Sequence, residues 1–335
     1  MVKNDTYITN IKAILIILVV IGHLIRGGIY SQESMRTAYI FIYSFHMPAF
    51  IFLTGYLSKS SIKSWSKVRE KILFYLPLYL VFQVVYDIAQ RLVSEEPTWE
   101  FTMLTPRYAL WYLVCLIVWY MVIGSVTYVL SLKWLLGISL LIALVVGMNP
   151  QIGSEYSLSR IFVFFPFFVM GLLLQKEFLT YLKRWWIKAL AVGIIIVNLL
   201  YAYGEKISTV TDVYYGNAGY AQMGISNLEG MIIRGQWYIH SMILIIAVLA
   251  VIPRKRIFLS FVGERTLQIY LIHAIICRIF FLKDTFKPYE TEIGLIGFIG
   301  LALSLTMVFS SSRLSVIVDW PRKIRYTIQQ MKKTR

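Results

Sequence analysis

Apolar runs long enough to enter the hydrocarbon of a bilayer recur along almost the whole chain, and they leave little room for anything but a bundle of membrane helices. A crossing helix needs about 20 predominantly apolar residues. Ten runs approach or meet that length, at roughly residues 11–26, 38–57, 72–88, 108–130, 134–148, 161–174, 187–203, 238–252, 266–282 and 293–309. Of the 335 residues, 58% are hydrophobic and 15% are charged, whereas soluble domains are closer to a quarter charged. The expected fold is all-α: one polytopic helical domain over residues 1–335 with about ten transmembrane helices and no separate soluble domain.

A formal charge of +16 would suit a nucleic-acid binder, but the Lys and Arg residues sit in short loops between apolar runs rather than on one face. No nucleic-acid partner is expected, and the charge reads instead as a topology signal. With the N-terminus inside, 23 of the 33 basic residues fall on the inner side, beginning with Lys3 and Lys12. The acidic residues Glu95, Glu96, Glu100, Glu205, Asp212, Asp284, Glu290 and Glu292 all fall outside. The positive-inside rule then places both termini in the cytoplasm of a multi-pass cell-membrane protein. A reporter fused after Arg335 should be cytoplasmic and one inserted near Asn217 extracytoplasmic; finding both on one side would remove the ten-helix arrangement. The longest outer connection, Gly204 to Gln236, is rich in Tyr, Gly and Asn and is either an ordered lid over an external cavity or a flexible spacer.

The two cysteines, Cys115 and Cys277, each lie within an apolar run, which supports neither a disulfide framework nor a paired-cysteine metal site. No metal is expected. The first run carries Lys12 and is followed by no small-residue cleavage site, so it reads as a retained helix rather than a signal peptide.

Every histidine, His23, His46, His240 and His273, falls inside an apolar run. Ionisable groups there are costly and mark function by default, although a single one can also be a satisfied interhelical hydrogen bond. Four at compatible depths point to a polar cavity. Lys12 and His23 are eleven residues apart, within about 20° of three full turns, so they share a helix face about 16 Å apart along the axis. A cation at the inner mouth can hold an anionic cofactor while a deeper imidazole acts as general base; Lys12 can equally be a snorkelling helix-end lysine.

Here the chain resembles the membrane acyltransferase-3 family. Its first-helix motif is similar to NIKAILIILVVIGH, with Lys12 and His23, and its second-helix signature to FHMPAFIFLTGYL from Phe45, with Thr54 where Ser is usual. KVREKILFYLPLYL from Lys67, ALWYL from Ala109, SRIFVFFPFFVMGLLL from Ser159 and ERTLQIYLIH from Glu264 follow in the family's order. The branch most resembled is that of fucose 4-O-acetylase. Two features depart from the pattern. The paired arginines expected before the third helix are only Arg69 between Lys67 and Lys71, and about twenty mostly basic residues follow Arg313 where polymer-modifying members often carry a hydrolase-like domain.

The resemblance implies that acetyl-CoA or another acyl-CoA docks its phosphates at the cytoplasmic face, near Lys12, Lys67, Arg69 and Lys71. Its thioester would then reach His23, which deprotonates a hydroxyl of an envelope glycan or lipid-linked sugar. Arg69 is singled out because guanidinium geometry suits phosphate; a positive-inside loop would look the same. His46, beside Pro48, either orients His23, faces the same cavity, or is a hydrogen-bonded histidine in a kinked helix. Arg160 is a site for an anionic acceptor or a headgroup anchor. Trp111 is a sugar-stacking ring or part of an interfacial aromatic belt, and Tyr270 and His273, three residues apart on one face, line the cavity or pack in the core. An exporter or flippase of the same glycan would also need a polar cavity, but no general base. A purely structural scaffold explains none of the buried histidines.

Overall fold

The computed structural model describes residues 5–93, 102–153, 155–205, 207, 209–282, 285 and 287–333. The sidedness markers Lys3, Glu95, Glu96, Glu100, Asp284 and Arg335 lie outside the described residues. The helices are α1 (Thr6–Leu24, continued by a 3-10 turn over Ile25–Tyr30), α2 (Glu33–Ser58), α3 (Trp65–Val93), α4 (Trp111–Val126), α5 (Leu132–Val145), α6 (Leu158–Leu173) and α7 (Lys176–Tyr181). They continue with α8 (Trp185–Gly204), α9 (Thr209–Tyr215), α10 (Asn227–Val251), α11 (Ser260–Gly263), α12 (Thr266–Leu282), α13 (Gly294–Phe309) and α14 (Val316–Lys333). No strand is found among the described residues.

Each of the ten apolar runs falls on one helix. Seven are long and apolar enough to cross a bilayer alone, and α13 with the helical stretch after it would make an eighth across a 67° bend. The fifth and ninth runs form shorter apolar helices, Leu132–Met148 and Thr266–Phe280. The chain is therefore a multi-pass membrane helical bundle. The helix α10 starts eleven residues before its apolar run because Ser226 caps it, its Oγ accepting from the Glu229 N–H at 3.3 Å. Ser226 and Glu229 have the S-x-x-E spacing of a capping box, a local signal overlooked in the apolar pattern.

The bundle is built around α1, whose apolar side chains are almost all buried against α2, α11, α12 and α13. Asn10 fixes its N-terminal end: its amide donates to the Pro253 and Lys255 carbonyls at 2.8 and 2.9 Å and its oxygen accepts from Ser260 Oγ at 2.6 Å. The most extensive helix pairing is α2 with α6, and it closes on glycines. A Cβ on Gly55 would overlap the Phe168 carbonyl, and one on Gly171 the Phe52 carbonyl. Small residues let membrane helices approach this closely. Pro48, inside α2, cannot donate to the Ser44 carbonyl. That carbonyl instead accepts from Trp237 Nε1 at 3.1 Å and Ser241 Oγ at 2.6 Å, both on α10, so a neighbouring helix satisfies the group that the proline leaves free.

Candidate active site

Two cavities lie within the bundle. The first, of ≈ 370 Å³, is walled by α1, α2, α4, α6, α12 and the connection carrying α9. The second, of ≈ 200 Å³, lies among α1, α2, α3, α4 and α12. Met47 and Tyr270 line both, so they stand at the boundary, or neck, where the two chambers adjoin. His23 lines the larger chamber and Lys12 the smaller one. The single helix face that carries both residues thus runs past the neck.

His46 lines the larger chamber with His23. Its Nδ1 lies 2.8 Å from the Ile42 carbonyl, an oxygen that can only accept, so Nδ1 carries the proton and Nε2 the lone pair. His273 does not line the chamber: it is wholly buried, its Nδ1 donates to the Ile269 carbonyl at 3.0 Å, and its Nε2 has no partner. Its ring stands edge-on to His23 with centroids 5.2 Å apart, a contact behind the wall rather than a substrate surface. His240 stands apart, bonded to Asn198 on α8. Three of the four histidines cluster, and the fourth does not. No hydrogen bond to His23 is found among the described residues, which leaves its ring to a substrate.

Trp111 and Arg160 line the same chamber, the guanidinium 4.9 Å from the indole centroid while its Nε donates to the Tyr215 carbonyl at 3.1 Å. Tyr270 holds its place in the neck by donating its hydroxyl to the Ala109 carbonyl. Lys71 lines the smaller chamber with Lys12, whereas Lys67 and Arg69 lie on the exposed side of α3, outside both chambers. The hydroxyls of Thr54 and Tyr112, 2.6 Å apart, add polar groups to the smaller chamber.

The larger chamber also holds residues that the motif reading did not single out, Arg26, Arg278, Tyr108, Tyr214, Tyr215 and Asn217. Its lining among the described residues has three arginines and no carboxylate, a field suited to an anionic or strongly hydrogen-bonding group. Arg278 Nε donates to the Tyr108 hydroxyl at 2.8 Å. Tyr108 has a positive φ of 44°, an uncommon backbone state that clusters at functional sites. The loop before it is held by α3: Gln83 donates to the Thr102 and Thr105 carbonyls and accepts from the Arg107 N–H, and Asp87 pairs with Arg107 at 2.7 Å. Only these tertiary contacts bring residues 105–108 to the chamber, which is why spacing along the chain did not reveal them.

Among the described residues of the Gly204 to Gln236 connection, those before α10 are ordered and cover the larger chamber as a lid, whereas those from Asn227 on belong to α10. Tyr214, Tyr215 and Asn217 face the chamber, the Tyr39 and Tyr215 hydroxyls bond each other, and Tyr220 donates its N–H and hydroxyl to the Gly147 and Leu144 carbonyls. Arg234, wholly buried in α10, donates to the Ala143 and Ala218 carbonyls and ties the lid to α5. Burial pushes the Tyr214 and Tyr215 phenols above their ordinary range, so at neutral pH both remain protonated hydrogen-bonding groups.

A titratable ring in one chamber, which adjoins a second chamber carrying two lysines, suits transfer of a group between two substrates. A segment of 70 residues, 20% of this chain, is 39% identical to Nodulation protein NolL of Sinorhizobium fredii (strain NBRC 101917 / NGR234), and the match spans 19% of that protein's length. No solved structure gives a significant match. The family model for an acyltransferase domain matches residues 5–312, nearly the whole of the bundle that builds both chambers. The chain belongs to the membrane acyltransferase-3 family and is a multi-pass membrane protein.

Proposed function

We propose that this protein is an O-acetyltransferase of the cell membrane that moves an acetyl group from acetyl-CoA, supplied on the cytoplasmic side, to a hydroxyl of an envelope glycan or lipid-linked sugar. The observation that carries the reading is the meeting of the two chambers at Met47 and Tyr270, with His23 in one and Lys12 and Lys71 in the other. The smaller chamber receives the thioester arm and the larger one the sugar. His23 takes the proton of the acceptor hydroxyl as its oxygen attacks the thioester carbonyl, and the tetrahedral intermediate collapses by expelling the CoA thiolate. That thiolate takes the proton back from the imidazolium, so the histidine is restored. His46 presents a second lone pair to the same chamber, and Arg160, Trp111 and the lid tyrosines orient the sugar. Aromatic faces and hydroxyl partners together suit a pyranose ring.

The test is transfer by purified protein in vesicles. With radiolabelled acetyl-CoA and extracted envelope glycans, label should appear in the glycan fraction and be released by mild base, as an ester is. Binding or transport of the glycan without any labelled product would instead favour the exporter reading and sink this one.

A further inference from the structure

The helix α14 comes back from the far end of the chain to the helix α3 that carries Lys71. It packs on α3 and α12, and between α3 and α14 lies a groove of ≈ 370 Å³ lined by Glu70, Lys71, Phe74, Arg322, Arg325 and Tyr326, among others. Lys71 lines both this groove and the smaller chamber, so the groove adjoins the smaller chamber, which adjoins the chamber of His23 at Met47 and Tyr270: three neighbouring spaces that mark out a route into the bundle. Three of the groove's lining residues are cationic and one is a carboxylate.

Both arginines are held at the groove by contacts that a stronger anion can replace. Arg325 Nη2 pairs with Glu70 Oε1 at 3.0 Å and Arg322 Nη1 with Asp319 Oδ1 at 3.5 Å, each pair open to solvent on at least one side. The Arg322 guanidinium also lies over the Phe74 ring, 4.4 Å from its centroid, which orients the fork without using its N–H groups. Exposed ion pairs of this kind contribute little to stability, whereas a guanidinium fork matches phosphate oxygens two at a time. Lys67 and Arg69, by contrast, point away from the route.

We propose that the groove between α3 and α14 binds the phosphate-bearing end of the acyl donor, with Arg322 and Arg325 as its phosphate-binding residues. The inference rests on acyl-CoA being the donor. A phosphate-bearing nucleotide end held there leaves the thioester arm to enter past Lys71 into the smaller chamber. Anionic lipid headgroups share this phosphate chemistry, so the measurement is made in nanodiscs of phosphatidylcholine alone and repeated with phosphatidylglycerol added.

The experiment titrates CoA into the full chain and compares it with the Arg322→Ala/Arg325→Ala and Arg322→Lys/Arg325→Lys double variants. In the neutral nanodiscs the alanine pair should weaken CoA binding roughly tenfold or more, since a hydrogen bond to a charged group contributes that much; the lysine pair should fall between. For transfer, the ratio of kcat/KM for acetyl-CoA to that for S-acetylpantetheine, which lacks the nucleotide phosphates, should drop by a similar factor. An equal loss with both donors would mark a structural defect and overturn the assignment. Unchanged CoA affinity, with loss only of phosphatidylglycerol association, would give the groove to lipid and overturn it too. Failure of the unaltered protein to bind CoA at all would instead remove the donor reading on which the inference stands.

Discussion

Replacing His23 by alanine is expected to abolish acyl transfer while the protein is still made, inserted and able to bind the donor. The ring lies in the larger chamber, next to the neck residues Met47 and Tyr270, and no hydrogen bond within the protein holds it among the described residues. Its removal therefore leaves no buried partner stranded, and the cost falls on the chemistry. Loss of a general base reduces rate by about a hundredfold to ten-thousandfold, read as kcat at saturating donor and acceptor. The His240→Ala control should cost far less, because that ring bonds Asn198 on α8 outside both chambers. A base works only when unprotonated, so wild-type activity should also fall in acid. Near-normal transfer by His23→Ala would break the catalytic assignment and make the exporter the better account of the same chambers.

The largest expected effect on folding comes from a single methyl group at the α2 and α6 crossing. Gly171→Ala places a Cβ onto the Phe52 carbonyl oxygen and close to the Tyr56 backbone nitrogen. Those atoms belong to a helix, which cannot rotate aside as a side chain can. Overpacking costs typically 1–3 kcal/mol, and a backbone obstacle puts this site at about 3 kcal/mol, a large part of a marginal total. The two helices also carry His46 and Arg160, so separating them should open the larger chamber as well. Gly193→Ala is the matched control: nothing lies within 4 Å of its Cβ on the exposed helix α8, and alanine is the better helix former. Thermal denaturation in detergent should show a marked drop in Tm for Gly171→Ala and no drop for Gly193→Ala. Equal behaviour of the two would mean that the crossing is looser than its geometry indicates.

The sequence by itself located the apolar helices, though not how many of them cross the bilayer, because the length of an apolar run is a local property that the bilayer imposes; seven, or eight with a bent pair, reach spanning length. It also placed Lys12 and His23 on one face, since the period of one helix needs no neighbour to define it. The same local logic marked His46, Arg160, Trp111 and Tyr270, all of which reach the chambers. What it could not determine was how each helix turns about its own axis within the bundle. That rotation depends on close contacts between distant segments, such as Gly55 and Gly171. It puts His273 behind the wall and leaves Lys67 and Arg69 outside the route, while bringing Tyr108, Tyr215 and Arg278 into the larger chamber. The tertiary structure alone decided that the basic stretch after Arg313 folds as α14 onto α3, where Arg322 and Arg325 stand beside Lys71, some 250 residues earlier in the chain. Charge count showed how many cations the chain carries; packing between distant helices decides which of them share one groove.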